Sequence, residues 1–254
     1  MERLDSLAKL EALRQSILAS RKKDKDKVVI TVCDGTGCKA FGSDEVIASF
    51  SSEIVAAEAL EKAIVKSVGC PGFCEKGPVV VIYPQGIFYQ KVSKEDVKEI
   101  VSQTVLRGKI VDRLLYVDPR TQKKAFYENE IPFYQKQTRI VLADNGRIDP
   151  TSWEDYLCTN GYAGLAKVIT SMTPGQVIEI VEKSGLRGRG GAGFPTGTKW
   201  KFTAQQKDPV KYIICNADEG DPGAFMDRSV LEGNPHLLLE GMTIAGYAIG
   251  AESG

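Results

Sequence analysis

Apolar and polar positions along this chain follow two rhythms, and the changes between them divide it. Leu4, Leu7, Leu10, Leu13 and Ile17 recur every third or fourth residue, which predicts an amphipathic docking helix. RKKDKDK at 21–27 has no apolar anchor and reads as a solvated hinge. From Val28 the rhythm shortens. VVITV predicts a strand, CDGTGCKAFGS a loop, and 44–62 a helix opened by Ser43 as its cap, with Val46 and Ile47 behind it. A short strand at 63–67, the loop VGCPGFCEKGP, the strand VVVIYP, a partner IFYQKV and a helix over 93–106 complete a small α/β unit.

The stretch 107–150 mixes charges with Tyr116, Phe126, Phe133 and Tyr134. So many large apolar side chains predict a segment that wraps over a domain rather than hanging free. IDPTSWEDYLCTNGY opens helical structure to Thr170, and PGQVIEIVEKSG predicts a further helix with Pro174 in its first turn and Gly185 just past its end. A short apolar strand is expected at 212–215, and a helix near the end runs into TIAGYAIGAESG. The divisions are therefore 1–27, 28–107, 108–150 and 151–254.

Composition narrows the function classes. Thirty-three basic residues balance 33 acidic ones, which favours neither nucleic acid nor membrane insertion as a partner, and 43% apolar content suffices for a substantial core. The N-terminus is charged throughout, unlike a signal peptide, so a soluble cytoplasmic chain is expected. Cysteine usage agrees, since four of the six cysteines form two tight pairs and are not spread as a secreted disulfide framework. Cys158 and Cys215 are read as packing thiols.

The pairs are Cys33-x4-Cys38 and Cys70-x3-Cys74, with 31 residues between them. Zinc ribbons usually space paired ligands by two residues, so the match to zinc is poor. A 2Fe–2S centre needs four thiolates, and Gly35, Gly37, Gly69 and Gly72 would let backbone N–H groups approach the sulfurs. A Rieske centre needs two histidines, and His236 is the only one. Structural zinc and inert thiols remain as alternatives.

A second concentration of chemistry lies at 184–200, SGLRGRGGAGFPTGTKW, with six glycines, two arginines and a lysine. Glycine at this density marks backbone that takes positive φ or approaches a ligand closely. Arg187, Arg189 and Lys199 suggest an anion such as phosphate. Gly188, Gly190 and Gly193 satisfy G-x-G-x-x-G only formally, because a helix precedes them where a strand should. The P-loop pattern fails at Thr198, which separates Gly197 from Lys199. A basic linker is the bland alternative, weakened by Phe194, Trp200 and Phe202. Downstream, CNADEGDPGAFMDR sets Asn216, Asp218, Glu219 and Asp221 at the end of the expected strand, where ligands of open α/β sheets bind. A divalent-cation site or a solvated acidic turn would use the same letters.

TVCDGTGC and VGCPGFCEKGP resemble the thioredoxin-like 2Fe–2S ferredoxin domain. GLRGRGGAGFPTGTKW and CNADEGDPGAFMDR resemble the FMN- and NADH-binding part of the NADH dehydrogenase flavoprotein subunit. The fused order is similar to the beta subunit of multimeric NAD-dependent, often electron-bifurcating, iron-only hydrogenases. The implied fold class is α/β, a thioredoxin-like ferredoxin domain followed by the first part of an α/β FMN/NADH-binding domain.

The resemblance implies a 2Fe–2S cluster on Cys33, Cys38, Cys70 and Cys74. It also implies FMN wrapped by Gly188, Arg189, Gly190 and Gly191 with Lys199 nearby, and further flavin contacts from Asn216, Asp218 and Glu219. Phe194 and Phe202 would hold the adenine of NAD(H). Asp221 stands where respiratory members have a glutamate at the nicotinamide side, which leaves NADH against NADPH open. No conventional general acid or base is implied. Family members continue further, into regions that include a 4Fe–4S cluster, so this chain is expected to be a fragment. The implied partners are other iron–sulfur subunits of a hydrogenase, formate dehydrogenase or respiratory complex. A ferredoxin-like adaptor without flavin activity and a zinc-stabilised scaffold are the competing functions.

Overall fold

In the computed structural model, residues 4–254 are described. They divide into two compact units, one of Ala19–Asp155 with Asp221–Pro235, the other of residues up to Leu18, Tyr156–Gly220 and His236–Gly254.

The first unit is built on a four-stranded sheet of β1 (Val28–Cys33), β2 (Ala63–Val68), β3 (Val80–Tyr83) and β4 (Ile87–Tyr89), in the order β2-β1-β3-β4. β1 and β2 are parallel, Val28 opposite Ala63 and Cys33 opposite Val68, whereas β3 runs antiparallel to β1 and β4 antiparallel to β3. A parallel pair needs a crossover, and α2 (Thr36–Ala40) with α3 (Ser43–Ala56) supplies it. Val46, Phe50 and Ile54 recur at helical spacing on α3 and are buried with Ile30, Val32, Val80 and Ile82 of the sheet. α4 (Val97–Ile100) is entered through Ser93, whose hydroxyl and N–H both bond the Asp96 carboxylate, and it continues through a wider turn to Val105. This is the arrangement the ferredoxin resemblance implies.

α3 is shorter than its sequence suggests, and the N-cap is Gly42, at φ 86°, rather than Ser43. The helix stops at Ala56 because Glu58 turns to φ 51° and Ala59 is drawn into the core, its N–H bonding Ile54 O. The Ser43 hydroxyl instead donates to Asp34 at 3.1 Å.

The segment after α4 wraps over this unit, as expected. β5 (Tyr116–Val117) pairs with β6 (Lys124–Ala125), and single bridges join Leu115 to Tyr89 and Tyr127 to Ile87. α5 (Pro132–Gln135) follows. Tyr116 and Tyr134 are buried, while Phe126 and Phe133 are partly exposed. α10 (Met226–Gly233) belongs to the same unit.

The other unit is helical. α1 (Leu7–Arg21) carries the N-terminal apolar pattern and reaches this unit through Leu10 and Arg14. α6 (Trp153–Cys158) and α7 (Ala163–Ser171) are separated by a tight turn in which Asn160 and Tyr162 have positive φ. α8 (Pro174–Ser184) has a Thr173–Gln176 capping box and ends at left-handed Gly185. α9 (Thr196–Ala204) packs on α8, and α11 (Pro235–Ile249) closes the chain's helices. Val168, Val177, Ile178 and Ala248 form the core, with Trp200 and Tyr247 against it. The expected strand at 212–215 is absent: Ile213 N–H bonds Ser253 O and Tyr212 bridges Ser253, but Ile214 is 83% exposed. One bridge is no ladder, so the apolar run stays irregular. Among the described residues no helix is long and apolar enough to cross a membrane.

Candidate functional site

Because β1 and β2 are parallel neighbours, the loops that leave their C-terminal ends emerge side by side, and these are the two cysteine loops. Cys33 is the last residue of β1, Cys38 lies on α2, Cys70 follows β2, and Cys74 opens a short turn. Cys33, Cys38 and Cys70 are buried and Cys74 is half-buried; none is in a disulfide. The sulfurs form a chain of neighbours, Cys38 beside Cys33, Cys33 beside Cys70, and Cys70 3.4 Å from Cys74. Among the described residues no group of three or more His, Cys, Asp or Glu side chains is arranged around a single ion. Two thiolates per iron is the demand of a two-iron centre.

The glycines keep this corner open. A Cβ on Gly77 would lie 2.5 Å from the Cys38 sulfur, and one on Gly35 would lie 2.8 Å from Cys70 Cβ. The Gly72 N–H donates to the Cys70 sulfur at 3.3 Å. Hydrogen bonds from Cys33 and then Cys74 lower the Cys70 thiol to about 3, with the Gly72 N–H adding to the effect and burial opposing it. Cys38 is lowered by Cys33 against burial, and Cys33 and Cys74, as the donors, are raised. Within each pair one sulfur is shifted down and its neighbour up, and the thiolate is the form that ligates metals. Four free thiols in a cradle that any side chain would fill fit an iron–sulfur centre.

The glycine stretch folds as a closed hairpin in the helical unit. Gly188 N–H bonds Phe194 O and Thr196 N–H bonds Leu186 O, both at 2.9 Å. Gly191 and Gly193 take φ of 98° and 61°, backbone that favours glycine. The Arg187 guanidinium donates to Gly193 O at 2.7 Å, so it serves the loop itself. Gly188, Arg189, Gly190 and Gly191 lie along the exposed tip. Gly197 meets a different need: a Cβ there would sit 2.5 Å from Glu182 N, so its absence lets α9 pack against α8. Lys199 and Phe202 are exposed on α9, and Phe194 is exposed at the hairpin base.

Asn216, Asp218 and Glu219 lie in irregular chain beyond Ile213, with Asp218 N–H donating to Asn216 Oδ1 at 3.0 Å. Asp221 is exposed and belongs to the first unit. Cys158 is half-buried, whereas Cys215 is exposed and is no packing thiol, because the chain around it joins no sheet.

Three polar residues that no spacing singles out tie these elements down. Arg14 is buried and donates to Leu157 O and Gly161 O, at 2.9 and 3.1 Å, capping the end of α6. Glu240 of α11 accepts from Tyr156 OH and from the N–H groups of Tyr162 and Leu165, so a carboxylate caps the start of α7. Asn145 does the same for the cysteine corner, donating to Cys70 O at 3.0 Å and Ser229 O at 2.9 Å.

Comparison with known proteins places both regions. Residues 19–105 match the thioredoxin-like [2Fe-2S] ferredoxin family, and residues 181–254 match the Nuo51 FMN-binding domain. The chain is 59% identical over 120 residues to the NADP-reducing hydrogenase subunit HndC of Solidesulfovibrio fructosivorans, covering 47% of this chain and 24% of that protein. It is 56% identical over 100 residues to an Aquifex aeolicus NADH-quinone oxidoreductase subunit, covering 39% and 23%. The chain thus spans about a quarter of the length of the curated relatives it matches. The crystal structure of the thioredoxin-like [2Fe-2S] ferredoxin from Aquifex aeolicus aligns at 31% identity, over 37% of this chain and 99% of that one, with a TM-score of 0.34.

Proposed function

We infer, from the match of residues 19–105 to the thioredoxin-like [2Fe-2S] ferredoxin family and of residues 181–254 to the Nuo51 FMN-binding domain, that the chain is the electron-transfer part of an NAD(P)H-linked oxidoreductase. Bound FMN and a bound 2Fe–2S centre supply the conversion between a two-electron hydride and single electrons. The residues supply position. Cys33, Cys38, Cys70 and Cys74 hold the iron, and the Gly72 N–H stabilises negative charge on sulfur. Gly188, Arg189, Gly190 and Gly191 present backbone and one guanidinium to the flavin phosphate, with Lys199 adding positive charge. Asn216, Asp218 and Glu219 complete the flavin contacts, Phe194 and Phe202 stack on the adenine of the nucleotide, and Asp221 meets its nicotinamide side.

The partners are iron–sulfur subunits of a hydrogenase or dehydrogenase complex, in the cytoplasm, to which single electrons pass. The observation that carries the reading is the cysteine corner, four free thiols gathered at the C-terminal ends of two parallel strands. The test is an anaerobic absorption spectrum of the purified complex before and after NADH, with iron, zinc and FMN measured on one sample. Iron and flavin, both bleached, are expected. Iron without flavin would reduce the chain to a ferredoxin-like adaptor, and zinc alone would overturn the reading.

A further inference from the structure

Among the described residues, the buried side-chain polar atoms without a hydrogen-bond partner are the Tyr134 hydroxyl and Asn145 Oδ1. Both residues come from the segment that follows the ferredoxin-like sheet, and both lie at the cysteine corner. Asn145 has its amide engaged on Cys70 O, so its own geometry is explained. The Tyr134 hydroxyl is not.

Tyr134 is 7% exposed and shares one buried cluster with Cys33, Cys38 and Cys70. Its ring meets the edge of Phe73, the residue between Cys70 and Cys74, at 5.9 Å and 82°. Phe88 and Phe133 close two more sides, at 6.2 and 5.1 Å. The Arg139 guanidinium lies over the ring, 5.0 Å from its centroid, and a guanidinium has no lone pair to accept the phenol proton. Glu128 is engaged elsewhere, accepting from Tyr83 OH at 3.0 Å and pairing with Arg139 at 3.7 Å. The hydroxyl is a donor with no acceptor in the metal-free chain, in a buried cluster that also holds three of the four cysteines.

We propose that the Tyr134 hydroxyl donates a hydrogen bond to a sulfur of the loaded four-cysteine site and so holds its reduction potential up. This rests on the reading of those cysteines as a 2Fe–2S site. Reduction adds negative charge that spreads onto sulfur, and a donor aimed at sulfur stabilises the reduced form more than the oxidised one. A buried hydroxyl left unpaired destabilises the metal-free fold, so its presence is explained by a partner that arrives with the iron.

The test is Y134F in the full chain, purified anaerobically beside the wild type. Iron and acid-labile sulfide per chain, the midpoint potential of the visible chromophore, and the thermal midpoint of the metal-free chain are measured on each. Iron content should be unchanged and the metal-free variant at least as stable as the wild type. At the wild-type midpoint, the ratio of oxidised to reduced centre should rise about tenfold, a fall of about 59 mV for one electron. Normal iron with an unmoved potential would overturn the inference alone. A Y134F chain that fails to fold or to hold iron would also count against it, since the hydroxyl has no partner in the metal-free fold. A wild-type chain without iron would overturn the inference together with the reading beneath it.

Discussion

The side-chain amide of Asn145 donates to the backbone carbonyl of Cys70 at 3.0 Å, and its second hydrogen goes to Ser229 O at 2.9 Å. One residue thus joins the second cysteine loop to α10. Gly233 at the end of that helix makes room for it, since a Cβ there would overlap the Asn145 amide, and one on Gly69 would overlap Gly233. Glu232, one residue earlier, accepts from Thr36 on the first cysteine loop at 2.8 Å. Both loops are therefore pinned by one helix.

Substituting Gly233→Ala forces a methyl into this contact and should destabilise the unit by about 1–3 kcal/mol. Asn145→Ala removes the donor to the buried Cys70 carbonyl and a part-buried bond to Ser229 O, for a loss of about 1–3 kcal/mol. Because the two residues touch, the double variant should lose less than the sum of the singles. Urea unfolding of the metal-free chain measures all three, and a strictly additive result would contradict the shared contact.

Much of this fold was legible in the sequence, and the exceptions share a cause. VVITV and VVVIYP are runs rich in β-branched residues that end at turns, and both are central strands. The helix 174–184 announced itself through Pro174 and Gly185. The end of α3 did not, because AEALEK contains only helix formers and the stop comes from Ala59 entering the core. YIIC looked like a strand, but strands exist by pairing and among the described residues only Ser253 pairs with it. Arg14, Glu240 and Asn145 are polar letters whose partners are scores of residues away, so no local spacing reveals them. The strand-end placement of the cysteine loops was legible, whereas the strand end expected before Asn216, Asp218 and Glu219 was not there. That Arg187 holds its own loop, and that Tyr134 sits at the cysteines, required the fold.

Asp155 gives a pH test. It is buried, with Lys66 Nζ at 2.7 Å, Arg21 Nη2 at 2.5 Å and the Asp149 N–H at 2.8 Å. Burial raises its pKa, but the Lys66 hydrogen bond, the Asp149 N–H and the Lys66 and Arg21 charges outweigh it, and the net shift is downward from 3.8. A group whose folded pKa is depressed contributes stability that is complete above its unfolded value and lost as pH falls through the folded one. Wild-type stability should therefore decline below about pH 4. Asp155→Asn should be less stable at pH 7 and show a flatter acid limb. Parallel slopes between pH 5 and 2.5 would show that Asp155 carries none of this dependence.

The cysteines sort by position. Cys33, Cys38, Cys70 and Cys74 meet at one sheet end, while Cys158 is half-buried in the other unit and Cys215 is exposed. Alanine at any of the first four should remove most of the iron and visible absorption, because one iron of a two-iron centre then loses one of its two thiolates and alanine offers no ligating atom. Alanine at Cys158 or Cys215 should leave both unchanged. Iron per chain after anaerobic purification decides it, and full iron in any of the first four variants would remove that cysteine from the site.

Phe194 and Phe202 separate binding from stability. They are 48% and 54% exposed, and a phenylalanine ring left in water contributes little to the fold. If both rings stack on the adenine of a nicotinamide nucleotide, each alanine substitution should remove about 0.5–1.5 kcal/mol of binding, which is roughly a two- to tenfold rise in Kd. Urea unfolding of the chain should stay within about 0.5 kcal/mol of wild type, as for surface substitutions generally. Nucleotide titrations of the flavin-loaded complex carrying Phe194→Ala, Phe202→Ala or both supply the first number. Unchanged affinity in the double variant would assign the adenine to other residues, and a large stability loss would show that the rings pack against protein in the complex.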